Sequence, residues 1–328
     1  MALKIELWTK TWPMSEPFVI ARGTQTEQPT LQVRLTAEDG VAGRGEGCGV
    51  PYAGEDPQTM SAQIHSVAGV LEKGISREQL INILPPGGAR CMMDSALWDL
   101  EAKRGGADPF TASALQPRPV TSARTIGIRS LKAYEATAHA LRDYPLLKIK
   151  VNADDPIAAV EAVRRGAPRA RFIVDANQSL SVALLKEVTP RLKQLGVVLL
   201  EQPIAVGDES GLDGYESPVP LCADELINDV SDLPRARGRF QLINIKLDKC
   251  GGLTAGMALA DVAVAAGFRL MVGCMAGSSL SMAPAMVLAQ RCDFADLDGP
   301  LLQAEDCEQG FVYRNGVVRE PHNSKLWG

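Results

Sequence analysis

The chain has 328 residues, long enough for a sizeable core and suited to one large α/β barrel or to two domains of ordinary size. With 46% hydrophobic and 22% charged residues it has ordinary globular composition, which excludes disordered, collagenous and membrane-embedded classes. The net charge is −5 and no run of Lys and Arg is long enough to track phosphates, so nucleic acid is not an expected partner.

The first twenty residues carry Glu6, Trp8, Lys10, Pro13 and Glu16, which interrupt any apolar signal-peptide core. No later stretch is apolar for long enough to span a bilayer. Seven scattered cysteines, odd in number and never spaced C-x-x-C, argue against a disulfide framework or a zinc site. Reduced thiols and a cytoplasmic location are expected.

Residues 1 to about 55 read as a β-meander. Leu3, Ile5 and Leu7 alternate, as do Leu31, Val33 and Leu35, and Glu38-Asp39-Gly40 marks a hairpin turn. From about residue 56 to 115 the period becomes helical, with an amphipathic run predicted over 91–100. After Pro117 and Pro119 short β-branched runs alternate with Ala-rich helical segments, the grammar of successive βα units. Predicted strands fall at 123–128, 146–151, 172–175, 197–201, 220–223, 242–247, 269–274 and 294–297, each about one crossover helix from the next, as a (β/α)₈-type barrel requires. An open doubly wound sheet lacks its G-x-G-x-x-G fingerprint here.

Charged residues stand at the C-terminal ends of these strands: Lys148 and Lys150, Asp175, Glu201, Asp224, Lys246, and Asp296 with Asp298. In a parallel barrel those ends share the face on which active sites are built. Residues two apart in a strand point the same way, so Lys148 and Lys150, Asp175 and Asn177, and Asp296 and Asp298 form same-side pairs. A single charged strand end is more often solvated or ion-paired than catalytic; the whole set on consecutive strands is what points to chemistry. Asp175, Glu201 and Asp224 suit a hard cation such as Mg²⁺. Lys150 on the second strand and Lys246 on the sixth lie across the barrel, an arrangement for two-base proton transfer next to a carboxylate. A nearby cation and desolvation would lower their pKa, and Lys148 with Mg²⁺ would stabilise the charge left as the α-proton departs.

At these residues the sequence resembles the enolase superfamily, in particular its muconate-lactonizing subgroup and the dipeptide epimerases within it. The motifs that carry the resemblance are Lys148-Ile149-Lys150, Ile173-Val174-Asp175-Ala176-Asn177, Leu200-Glu201-Gln202-Pro203, Cys222-Ala223-Asp224-Glu225 and Asn244-Ile245-Lys246-Leu247-Asp248-Lys249-Cys250-Gly251-Gly252. The resemblance implies a modified (β/α)₇β barrel over residues 118–300. It also implies an α+β capping domain over 1–117, completed by the tail at about 301–328. The segment Asp296-Leu297-Asp298 is similar to the D-x-D loop with which dipeptide epimerases bind a substrate ammonium. The three histidines, His65, His139 and His322, lie away from the strand ends, against a histidine-base branch.

The resemblance implies an isomerase that inverts the α-carbon of the C-terminal residue of a dipeptide, with L-Ala-D/L-Glu of murein recycling the first expectation. Residues 18–24 and 50–55 resemble loops that close over substrate. At Gln25 the Ala-Glu epimerases carry an arginine that meets the substrate's glutamate; Gln25 lacks that charge, and Arg22 could substitute by turning inward. Other L-Ala-X dipeptides, a cycloisomerase or o-succinylbenzoate synthase activity, and a metal-dependent sensor on the same scaffold stay open, as does homo-oligomerisation.

Overall fold

Three antiparallel strands begin the chain, because alternate residues along it are apolar. In the computed structural model, which describes residues 2–328, Leu3–Ile20 pairs with Gly23–Ala37, and that strand pairs with Ala42–Gly47. Val33 and Leu35 are fully buried beneath this sheet. The turn at Gly40 takes a left-handed φ of 84°, and Asp39 Oδ1 accepts from the Val41 amide at 3.1 Å.

The third strand presents Gly43, Gly45 and Gly47 to the helix Gly88–Lys103. A Cβ at Gly45 would lie 2.1 Å from the Met92 carbonyl oxygen, so the helix docks closer than any side chain permits. The run predicted as amphipathic over 91–100 belongs to this helix, and it is buried on every face from Gly88 to Leu100. The cap sheet covers one side. On another, Arg90 donates to the Cys250 carbonyl at 2.7 Å and Trp98 Nε1 to Thr254 Oγ1 at 3.0 Å. The chain's end covers the rest, with Trp327 Nε1 donating to the Ser95 carbonyl at 2.9 Å. A sequence period alone could not show that three bodies surround one helix.

Eight parallel strands follow in sequential order: Arg124–Ile126, Leu146–Lys150, Arg171–Asp175, Val197–Glu201, Leu221–Ala223, Leu242–Lys246, Arg269–Gly273 and Phe294–Asp296. The barrel closes where the Ala123 amide donates to the Ala295 carbonyl at 2.8 Å and Ser122 bridges Ala295. Full helices form five crossovers: Leu131–Ala140, Pro156–Gly166, Val182–Gln194, Leu253–Ala265 and Ser279–Leu288. The crossover after the fourth strand has only the turn Glu209–Leu212, that after the fifth only the short turns Val230–Asp232 and Leu233–Ala236, and the eighth strand is followed by the short Gly299–Leu302. This is the expected modified barrel with an antiparallel cap. Near the chain's end, Tyr313–Arg314 and Val317–Val318 form a hairpin that pairs with Val120–Thr121 ahead of the barrel. Among the described residues no helix is long and apolar enough to cross a membrane.

Candidate active site

The two-residue period of the strands stacks the barrel interior in layers. Leu146, Ile173, Leu199, Cys222, Leu242 and Phe294 form a buried apolar plug. The residues two further along, Lys148, Asp175, Glu201, Asp224, Asn244 and Asp296, point the same way and make a polar layer above it. Lys148, Lys150 and Lys246 are all more than nine-tenths buried, and Asp175, Glu201 and Asp224 are inaccessible to solvent.

Buried ammoniums need partners, and these find them in the carboxylates. Lys148 Nζ sits 2.7 Å from Asp296, 2.8 Å from Glu201 and 3.0 Å from Asp175. Lys150 Nζ donates to Asp175 Oδ2 at 2.6 Å and to Asn177 Oδ1 at 3.1 Å. Lys246 Nζ donates to Asp224 Oδ2 at 2.6 Å, and Lys249 holds the other oxygen, Oδ1, at 2.7 Å. Strand order puts Lys150 and Lys246 four strands apart in a ring of eight, on opposite sides.

Burial alone would lower the pKa of Lys148 and of Lys246, but attraction outweighs it. Lys148 is held well above the ordinary value by Asp296, Glu201 and Asp175, and Lys246 is raised by Asp224 and Glu201. The lowering expected of a base must therefore come from an added cation or from substrate, since these carboxylates push the other way. Burial likewise raises the acids. The lysines win at Asp175 and Asp224, which are held low, whereas burial and the neighbouring Asp175 push Glu201 up.

The carboxylate oxygens are turned toward lysines, and among the described residues no three Asp, Glu, His or Cys side chains form a ready-made metal cluster. The donor set still fits a hard cation. Glu201 Oε2 makes its ion pair with Lys148 but receives no aligned hydrogen bond, and Asn244 Oδ1, on the amide that donates to Glu201 Oε1, has no donor among the described residues.

Asp296 and Asp298, expected to be open to a substrate ammonium, are both engaged. Asp298 accepts from the Thr125 amide at 2.7 Å and from Arg124 at 3.1 Å, and Asp296 pairs with Lys148. Their charges are thus offset by Arg124 and Lys148, which the sequence reading did not foresee.

A cavity of about 490 Å³ opens between this layer and the cap. Lys150, Lys246 and Asn177 face it from the barrel, and Phe18, Arg22, Gln25 and Tyr52 from the cap. Arg22 has turned inward: it pairs with Glu225 and stacks on Tyr52 with 5.0 Å to the ring centroid. Gln25 also lines the cavity but spends its amide on Gln28 at 2.6 Å. A larger groove of about 880 Å³ runs along the outer cap near Trp8 and His65, far from the lysines, so size does not mark the site here.

Sequence reasoning passed over Arg124, and gave no role to Gln202, Glu225 and Lys249 although they stand in the motifs. Gln202, at a left-handed φ of 30°, accepts from the amides of Asp224 at 2.9 Å and Leu226 at 3.2 Å, so it sets the fifth strand's end. Its position beside Glu201, and that of Glu225 beside Asp224, were the available signals.

Residues 2–108 match the mandelate racemase / muconate lactonizing enzyme N-terminal domain, and residues 132–324 the enolase C-terminal domain-like model. The chain belongs to the mandelate racemase / muconate lactonizing enzyme family. Within that family it is 39% identical to the L-Ala-D/L-Glu epimerase of Escherichia coli over 96% of this chain and 98% of the relative. It is 42% identical to an N-acetyl-D-glutamate racemase of Pseudoalteromonas over 85% and 90%. A solved structure from Agrobacterium tumefaciens, an enolase family member with homology to dipeptide epimerases, superposes with TM-score 0.95 at 38% identity, covering 99% of this chain and all of that one; it holds sodium and L-Ala-L-Glu. The relatives are isomerases, as the motifs implied.

Proposed function

We propose that this protein is a Mg²⁺-dependent epimerase that inverts the α-carbon of the C-terminal residue of an L-Ala-X dipeptide, with L-Ala-D/L-Glu the leading substrate. The observation that carries this is the pair Lys150 and Lys246, facing one cavity from opposite sides of the barrel, each on a different carboxylate of one buried cluster.

Asp175, Glu201 and Asp224 would hold the metal, which supplies Lewis-acid stabilisation of negative charge on a substrate carboxylate. The bound sodium of the Agrobacterium relative supports a cation at such a site, and the hardness of three carboxylates favours Mg²⁺. Lys148, between Asp175, Glu201 and Asp296, would donate to the same substrate carboxylate.

Charge balance explains how one lysine becomes a base. Four ammoniums, of Lys148, Lys150, Lys246 and Lys249, face four carboxylates, of Asp175, Glu201, Asp224 and Asp296. A divalent cation and a substrate carboxylate would together add one net positive charge to this low-dielectric layer, which would favour release of a proton from one lysine. One end lysine is then neutral and the other protonated. The neutral one takes the α-proton from its face, and the protonated one returns a proton from the opposite face.

A second reading has an observation of its own. Arg124 and Lys148 offset the charge of Asp298 and Asp296, so the subsite no longer demands an ammonium, and an N-acyl glutamate fits it as the Pseudoalteromonas relative's name suggests. The free thiol state of all seven cysteines suits a cytoplasmic enzyme, and a Glu dipeptide of this configuration suits murein recycling.

The test is proton NMR in D₂O with Mg²⁺, following the α-proton signals of L-Ala-L-X dipeptides and N-acetyl-glutamate. The expected result is loss confined to the C-terminal α-proton, growth of the epimer's signals, and arrest by chelator. Exchange of neither class, with muconate or an o-succinylbenzoate precursor turned over instead, would move the protein to another branch of the family.

A further inference from the structure

The amide of Asn177 is held at both ends. Its Oδ1 accepts from Lys150 Nζ at 3.1 Å, and its Nδ2 donates to Glu225 Oε1 at 3.2 Å. A carboxylate can only accept, so Glu225 decides which way round the amide lies and turns its oxygen to Lys150. The backbone of Asn177 is itself fixed in the left-handed region, with φ 42°, and its amide N–H donates to Asp175 Oδ1 at 2.9 Å.

The same oxygen of Glu225 receives the guanidinium of Arg22, which comes from the tip of the cap hairpin. The Glu225 side chain is 2% exposed. Its other oxygen, Oε2, has no hydrogen bond among the described residues, and there Arg22 is the cation within ion-pairing distance.

Lys246 is held otherwise. It donates to Asp224, which Lys249 and the side chain of Gln202 fix in turn, and every one of these residues belongs to the barrel. Among the described residues its hydrogen-bonded chain includes no part of the cap.

We propose that Glu225 is a positioning residue that, anchored by Arg22 of the cap hairpin, aims the base Lys150 through the amide of Asn177 and does not act on Lys246. Arg22 fixes Glu225, Glu225 fixes the way round of the Asn177 amide, and the amide oxygen sets the direction of Lys150 Nζ at the cavity. One face of the reaction thus depends on a contact with the cap that the other does not need, and the inference rests on the two-base reading above.

The experiment measures initial rates of α-proton exchange in D₂O with Mg²⁺, at saturating concentrations of L-Ala-L-Glu and L-Ala-D-Glu separately. Lys150→Ala first identifies the epimer that this lysine serves. Arg22→Met and Glu225→Leu are expected to slow that epimer about tenfold more than the other. Glu225→Gln, whose carbonyl still accepts from Asn177, is expected to fall between these variants and wild type. Equal slowing of both epimers, or slowing concentrated on the epimer of Lys246, overturns the coupling. If Glu225→Leu does not fold, Arg22→Met, whose side chain is 36% exposed at the hairpin tip, decides alone. Wild-type protein that exchanges neither epimer refutes the two-base reading itself, a different outcome from equal slowing in the variants.

Discussion

Whether the N-terminal subsite selects an ammonium turns on Asp298 and its partner Arg124, 3.1 Å apart. Asp298→Asn keeps an acceptor for the Thr125 amide but removes the charge. A charge-assisted hydrogen bond from an ammonium contributes about 1.5–3 kcal/mol, equivalent to a factor of roughly ten to one hundred. Arg124 and Lys148 already oppose that field, so the lower end applies, and L-Ala-L-Glu should lose about tenfold relative to N-acetyl-L-glutamate. Arg124→Met should move the ratio about as far the other way, by leaving Asp298 free for the ammonium. Both substrates are placed in one tube and their α-proton exchange is followed together by NMR, so that the ratio is independent of the amount of active protein. A ratio that stays at the wild-type value in both variants would refute the reasoning and remove Asp298 from the substrate subsite.

Gln25→Arg should favour Glu dipeptides over L-Ala-L-Ala about tenfold, by restoring a fork-shaped cation at the cavity wall; an unchanged substrate profile would mean that residue 25 does not meet the ligand. Gly45→Ala puts a Cβ 2.1 Å from the Met92 carbonyl oxygen and should cost about 2–3 kcal/mol in a denaturant melt; a variant as stable as wild type would contradict the close docking of sheet and helix. Burial pushes Asp94 up to about 6, against the Thr254 donors. A raised carboxyl pKa gives stability that is present below the unfolded value and is lost as the pH climbs to the folded one. Wild type should therefore lose about 2 kcal/mol relative to Asp94→Asn between about pH 4 and pH 6. Urea melts that show the same difference at both pH values would contradict this.

The barrel was legible because its strands are short, β-branched and evenly spaced, and because parallel strands put their C-terminal charges on one face. Lys148, Lys150, Asp175, Glu201, Asp224, Lys246 and Asp296 could all be read in this way, and the structure brings them into contact. What resisted reading was pairing across sequence distance. Nothing local to Asp298 says that Arg124 comes to it, and nothing local to Arg22 says that it reaches Glu225. The helix over 91–100 was legible but not its all-round burial: the face read as outward is covered by the barrel and the chain's last residues, which no helical period encodes. The alternating glycines of Ala42–Gly47 were a signal of close docking that went unread.

The central claim is that Lys150 and Lys246 work opposite faces of one carbon. Its most direct test is α-proton exchange of L-Ala-L-Glu and L-Ala-D-Glu by Lys150→Ala and Lys246→Ala, each measured separately in D₂O with Mg²⁺. The account predicts complementary halves: neither variant interconverts the epimers, one exchanges the L,L form alone and the other the L,D form alone. Interconversion at the wild-type rate in either variant, or loss of the same epimer in both, would contradict it.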